Sequence, residues 1–224
     1  MNWDEVRVRT AALHDRAAWD GGTRGPLPPP LSEAEVRDAE RQFGIIFPED
    51  YRHYLRTVSA GGRVRTLRRA GTRWVWEGDT HADRAGLRAP FPDQDAALAE
   101  CERLWSREPR EDDFPSAEAH RTAHRAWEEA ADAADEARTA GAVILLEHGC
   151  GFATLLVVSG PQRGTMWFDG RATSDRVHPL PNDAGRPATF AEWYVDWLEH
   201  EEQPRPAEAE EEDRPIWYRW FSPL

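Results

Sequence analysis

The chain contains no lysine: its 28 basic residues are all arginine, set against 41 acidic residues for a formal charge of −13. The absence of lysine itself carries no functional weight, but the acidic balance argues against direct nucleic-acid binding, because phosphate contacts require a local cationic excess. Cysteine is scarce as well. Cys101 and Cys150 are the only two in 224 residues, too few for a disulfide framework and no sign of an oxidising compartment. Long apolar runs are also lacking. The longest, Ala142–Leu146 and Leu155–Val158, are strand-sized and far too short to span a bilayer. Met1–Glu5 has neither the basic nor the apolar region of a signal peptide, so the expected compartment is the cytoplasm, with no membrane partner.

What is present is aromatic. The chain is 40% hydrophobic with 11 Trp and 8 Phe, enough for one aromatic-rich core with appendages. Its charge is unevenly placed. Tyr51–Ala70 holds six Arg and no acid, Glu111–Ala140 three Arg and nine acids, and Glu201–Leu224 three Arg and seven acids. Either these segments neutralise one another, or an acidic face is displayed to a basic protein partner.

Trp3, Val6, Thr10, Leu13 and Ala17 recur at helical spacing, predicting a first amphipathic helix over residues 2–19. A Gly- and Pro-rich linker, Asp20–Pro30, follows. Two helices are expected next, over Ser32–Phe43 and Pro48–Val58. Ser32 and Glu35 form a capping box, Leu31 and Val36 the positions of a hydrophobic staple. Gly44 suits a left-handed stop, and Pro48 suits a first-turn position that needs no N–H.

A hairpin of Val64–Leu67 and Arg73–Trp76 is expected after these, with Trp74 and Trp76 on one face. Ala96–Trp105 reads as helical. Ser116–Thr139 reads as an Ala- and acid-rich helix, Trp127 its one large apolar residue, which suits a surface insertion. The clearest strand signal is a three-stranded antiparallel meander: Ala142–Leu146, a His-Gly-Cys-Gly turn, Phe152–Val158, then Thr165–Phe168, the middle strand buried on both faces. A capping box at Thr189 and Glu192 opens a last helix, burying Phe190, Trp193, Tyr194, Trp197 and Leu198. An acidic run, Glu208–Asp213, then leads to an aromatic tail, Ile216–Phe221, expected to pack on its own domain or to dock on a second subunit or partner. This order predicts an α+β fold, a mainly antiparallel sheet packed by N- and C-terminal helices, rather than alternating βαβ units.

Glu40, Gly44, Pro48, Tyr51 and Leu55 in the helix pair, the glycine turn Glu147–Gly151 before Leu155–Val158, Trp167 with Asp169, and the closing Phe190–Tyr194 and Trp197–Leu198 resemble the signature of the SUKH superfamily over residues 31–199. The resemblance implies a single SUKH-like α+β domain over 31–200, with a helical insertion at about 107–141, an N-terminal helix and linker over 1–30, and an acidic linker and aromatic tail over 201–224. Families of this kind include fungal cell-wall synthesis regulators and bacterial immunity proteins that neutralise toxins. The fold does not by itself fix the function.

Candidate chemistry is thin. His148 and Cys150 resemble a base and a nucleophile, but they sit two apart on a turn with no evident orienting acid. His120 and His124 share a helix face without the intervening Glu of a zinc-protease helix or a third ligand. Cys101 and Cys150 have no close-spaced partner for a zinc site. No phosphate-binding glycine loop or Ser-His-Asp order is visible, so no cofactor or metal is expected. Glu129, Asp132 and Glu136 fall on one face of the insertion helix, with Glu128 and Asp135 adjacent. These five carboxylates are the expected partner-binding residues of a non-enzymatic protein, read as a cytoplasmic immunity protein facing a basic toxin domain. The alternatives are an intracellular scaffold without a toxin and, further off, a Cys-dependent enzyme.

Overall fold

Every long helix after the first begins at a residue suited to stopping an extended chain. The computed structural model describes residues 1–19, 26–79, 86–174 and 176–203. Helix α1 spans Trp3–Trp19 and buries Val6, Thr10 and Leu13. Helix α2, Glu33–Phe43, opens on the Ser32–Glu35 capping box and ends at Gly44, whose φ of 70° is the left-handed conformation glycine adopts without a Cβ penalty. Helix α3, Glu49–Thr57, starts one residue later than expected. Pro48 stands outside it as the cap, extended at φ −51° and ψ 144°, and supplies no side-chain hydrogen bond. Glu40 fixes the turn between the two helices, accepting Phe47 N–H and the Arg52 guanidinium, both at 3.0 Å.

The first strand of the hairpin is shifted from its expected place, and the second falls where expected. Strand β1 is Leu67–Ala70 and β2 is Arg73–Trp76. A two-residue Gly71–Thr72 turn pairs Ala70 with Arg73, and this register, not the apolar run, sets where pairing starts. Val64 is buried before the strand begins. Trp74 and Trp76 do share the inward face, both 2% exposed.

Helix α4, Gln94–Trp105, is capped by Asp93, two residues ahead of its expected start. A single 3-10 turn at Glu111–Asp113 leads to helix α5, Ala117–Ala137, capped by Ser116. Strands β3 (Ala142–Gly149), β4 (Phe152–Val157) and β5 (Met166–Asp169) form the expected meander, and all of β4 after Phe152 is buried. A short helix α6, Arg171–Ser174, returns the chain as a fourth antiparallel strand, β6, Val177–Pro179. The fourth strand escapes the sequence pattern because it is three residues long and carries a proline, tolerated here because β6 is the sheet edge. Helix α7, Phe190–Glu202, opens on the Thr189–Glu192 capping box.

The fold is therefore α+β, with a two-stranded and a four-stranded sheet, both antiparallel. Alternation along the strands divides the core in two. Val143, Leu145, Leu156, Val158, Met166 and Phe168 face α1, α2, α3 and α7, where Phe47, Tyr51, Tyr54, Phe190 and Tyr194 interlock. Phe190, with no exposed surface, packs edge-on against Tyr51 and Tyr54 at 5.2 and 5.3 Å. The opposite face, Ala153, Leu155, Val157, Trp167 and Val177, is closed by Phe91, its ring 4.9 Å from Trp167. Gly141 makes that closure possible. Its φ is 69°, and a Cβ there would lie 2.7 Å from Phe91 N. Part of the linker (residues 20–25), the acidic run Glu208–Asp213 and the tail Ile216–Phe221 lie outside the described residues.

Candidate interaction surface

Alanine is the strongest helix former, and α5 is built largely from it. With so few large side chains, the helix is held by a handful of specific contacts along one face. Trp127 Nε1 donates to Leu104 O at 2.8 Å, fastening the middle of α5 to the end of α4. Nearer its start, His120 Nε2 lies 3.0 Å from Pro109 O, and His124 Nε2 lies 3.3 Å from Glu108 Oε1. Ala131 is the one fully buried residue within the helix.

The C-terminal end is anchored by charge. Arg138, 1% exposed, bonds Asp135 at 3.3 Å, while its carbonyl accepts Gln94 Nε2 at 2.8 Å. Arg171, at the start of α6, donates to Asp135 Oδ2 at 2.8 Å and grips Asp169 of β5 with two further bonds of 2.9 and 2.7 Å. Fork geometry of this kind gives orientation as well as energy. Helix α5 is thus tied to the four-stranded sheet through Asp135–Arg171–Asp169. Cys101 is buried beside this network, and burial pushes its thiol pKa up.

The five acidic residues therefore form two groups. Asp135 is engaged by Arg138 and Arg171, and Glu128 stands 3.5 Å from His124 Nδ1. Glu129, Asp132 and Glu136 lie on the exposed side, and among the described residues their carboxylates enter no hydrogen bond or ion pair. Helical spacing places these three along one stripe, within about 60° of one another around the helix axis and on the side away from Trp127, Ala131 and Arg138.

The basic segment is matched elsewhere. Arg52 and Arg56 bond Glu33, Arg65 bonds Asp79 and Glu147, Arg69 bonds Asp38, and Arg68 is 3.6 Å from Glu77. Arg63 lies over the Trp197 ring at 5.4 Å. None of these partners is on α5, so neutralisation between the two segments does not occupy its acidic stripe.

His148 and Cys150, the sequence candidates for a base and a nucleophile, lie apart from α5. His148 is half-buried on β3 and its Nε2 is 2.8 Å from Thr154 Oγ1. Burial, helped by the Arg63 charge, lowers its pKa to about 4. Cys150 is exposed at the β3–β4 turn, the one non-glycine with positive φ (50°) among the described residues. The rings of His120 and His124 are 5.7 Å apart. Among the described residues no group of three or more His, Cys, Asp or Glu side chains is placed to hold a metal ion.

The anchoring pair Asp169–Arg171 was missed as a site determinant in the sequence. An acid two residues before an arginine at a strand end was its only signal. Among the described residues no helix is long and apolar enough to cross a membrane. No family model, curated protein or solved structure matches the chain.

Proposed function

We propose that this protein is a non-enzymatic binding domain of the SUKH type, an immunity protein that neutralises a cognate toxin by occluding a basic surface with the outward stripe of α5. The observation that carries the reading is the exposure of Glu129, Asp132 and Glu136, unpaired among the described residues, on a helix whose opposite face is fixed. Three carboxylates already held in register raise the rate of encounter with a cationic partner and lower the ordering cost of binding. The SUKH-like motifs supply the family context, and their side chains serve the scaffold: Glu40 and Gly44 shape a turn, Tyr51 and Leu55 fill the core.

The direct experiment is co-expression with the product of the neighbouring gene, which this reading requires to be a toxin. The parent chain rescues growth, and the Glu129→Ala, Asp132→Ala, Glu136→Ala triple variant rescues poorly while remaining folded. Full rescue by the triple variant would remove α5 as the binding face.

A further inference from the structure

On the opposite functional sign, a groove of about 610 Å³ runs between α2, α3 and the Gly160–Gly164 turn, lined by four arginines (Arg37, Arg52, Arg56 and Arg163) and His53 against two carboxylates, Glu40 and Glu49, with Ile46 at its rim. Its charge is out of keeping with a chain of net −13. Three guanidiniums, Arg37, Arg52 and Arg56, converge on the single carboxylate of Glu33. Glu40 is turned inward onto Phe47 N–H and Arg52. Glu49 is the third carboxylate of the neighbourhood and stands exposed at the start of α3. Arg163 donates to Ile46 O and Phe47 O, which holds the rim.

Arg37 and Arg56 remain 69% and 39% exposed, and each contacts Glu33 through Nε at 2.7 and 2.9 Å. A guanidinium carries five N–H donors, so both can bond a second carboxylate. Ile46, 69% exposed, adds an apolar edge.

We propose that this groove is a docking site for an acidic peptide segment, and that its occupant is the chain's own Glu208–Asp213. That segment carries five acids in six residues and is followed by the apolar Ile216–Phe221. The approach is short. Helix α7 ends at Glu202, which Arg9 of α1 holds with bonds of 2.9 and 2.8 Å. Six residues back along α1, or about 9 Å, Trp3 stacks on His53 of the groove, ring centroids 6.4 Å apart. From Gln203, residues 208 to 213 reach about 17 to 33 Å when extended, which covers that path. Tethering gives the segment an effective concentration of roughly millimolar, so weak charge pairing suffices for high occupancy. The proposal is independent of the role assigned to α5.

The test titrates a fluorescently labelled peptide with the sequence of residues 207–213 against two full-length chains, the parent and one carrying Glu208→Gln, Glu210→Gln, Glu211→Gln, Glu212→Gln and Asp213→Asn. The neutralised chain should bind the peptide at least tenfold more tightly than the parent, and that binding should weaken as salt is raised. Adding Arg37→Ser and Arg56→Ser to the neutralised chain should abolish the gain, with the thermal midpoint followed to confirm folding. Equal affinity for parent and neutralised chains would refute self-docking. Absence of binding to either, or tight binding that survives Arg37→Ser and Arg56→Ser, would refute the groove itself.

Discussion

Arg171 joins Asp169 on the sheet to Asp135 on the insertion helix, with bonds of 2.7 and 2.8 Å from one guanidinium. This side chain therefore fixes the C-terminal end of α5 against the sheet, while Trp127 and Arg138 hold the rest of the face opposite Glu129, Asp132 and Glu136. Removing it leaves Asp169, 9% exposed at its side chain, without its main partner. Arg171→Ala should cost about 2–4 kcal/mol, read as a lowered urea midpoint, with hydrogen exchange quickening first in the last turns of α5. An unchanged exchange rate there would mean the helix is held by Trp127 and Arg138 alone.

Gly141 is the least replaceable glycine among the described residues. Its amide donates to Gly86 O at 3.0 Å, its carbonyl accepts Val158 N–H at 2.7 Å, and its Cα faces the Phe91 backbone. Gly141→Ala meets both a left-handed φ and a backbone too close to move cheaply, so a loss of about 2–3 kcal/mol is expected. Gly44→Ala should lose less, about 1–2 kcal/mol, because the neighbour its Cβ meets is the end of the Arg88 side chain. Thermal melts of the two variants should rank in that order.

The pH dependence follows from His148 and His178, both lowered below the ordinary imidazole value, first by burial and then by Arg63 and Arg176 respectively. Their native forms stay neutral where the unfolded chain takes up protons. Stability is therefore full above about pH 6.5 and falls on acidification, the His148 contribution levelling off only below its folded pKa of about 4. Between pH 6.5 and 5 the loss should be about 1 kcal/mol after allowance for solvent screening. His148→Gln should flatten that slope, and denaturant unfolding at three pH values in the window measures it.

Much of this fold is written locally. Both capping boxes, the stop at Gly44 and the buried stripe of α7 follow from short-range spacing, and each occurs where that spacing places it. Three of the differences share a cause. Val64 is buried without pairing, β6 is three residues long, and Pro48 sits outside its helix, because tertiary contacts and turn register decide such boundaries. The acidic stripe was legible as a helical pattern. Its division into free and engaged carboxylates was not, since Arg171 is 36 residues from Asp135 in sequence. Nor does any local pattern bring Arg163 to the α2–α3 groove, a contact made across 117 residues.

Surface and core substitutions should separate cleanly. Phe190→Ala removes a fully buried ring from the Tyr51–Tyr54–Tyr194 cluster and should cost about 3–5 kcal/mol. Glu129→Ala should change stability by no more than about 0.5 kcal/mol. Chemical denaturation of both in parallel tests whether the α5 stripe is free of structural duty.

The most direct measurement is the affinity of the purified chain for a basic toxin domain drawn from its gene neighbourhood, compared with that of the Glu129→Ala, Asp132→Ala, Glu136→Ala variant at low and high salt. A stripe that recognises a basic partner predicts at least a tenfold loss of affinity in the variant and a shallower salt dependence. Affinity and salt dependence indistinguishable from the parent would contradict it.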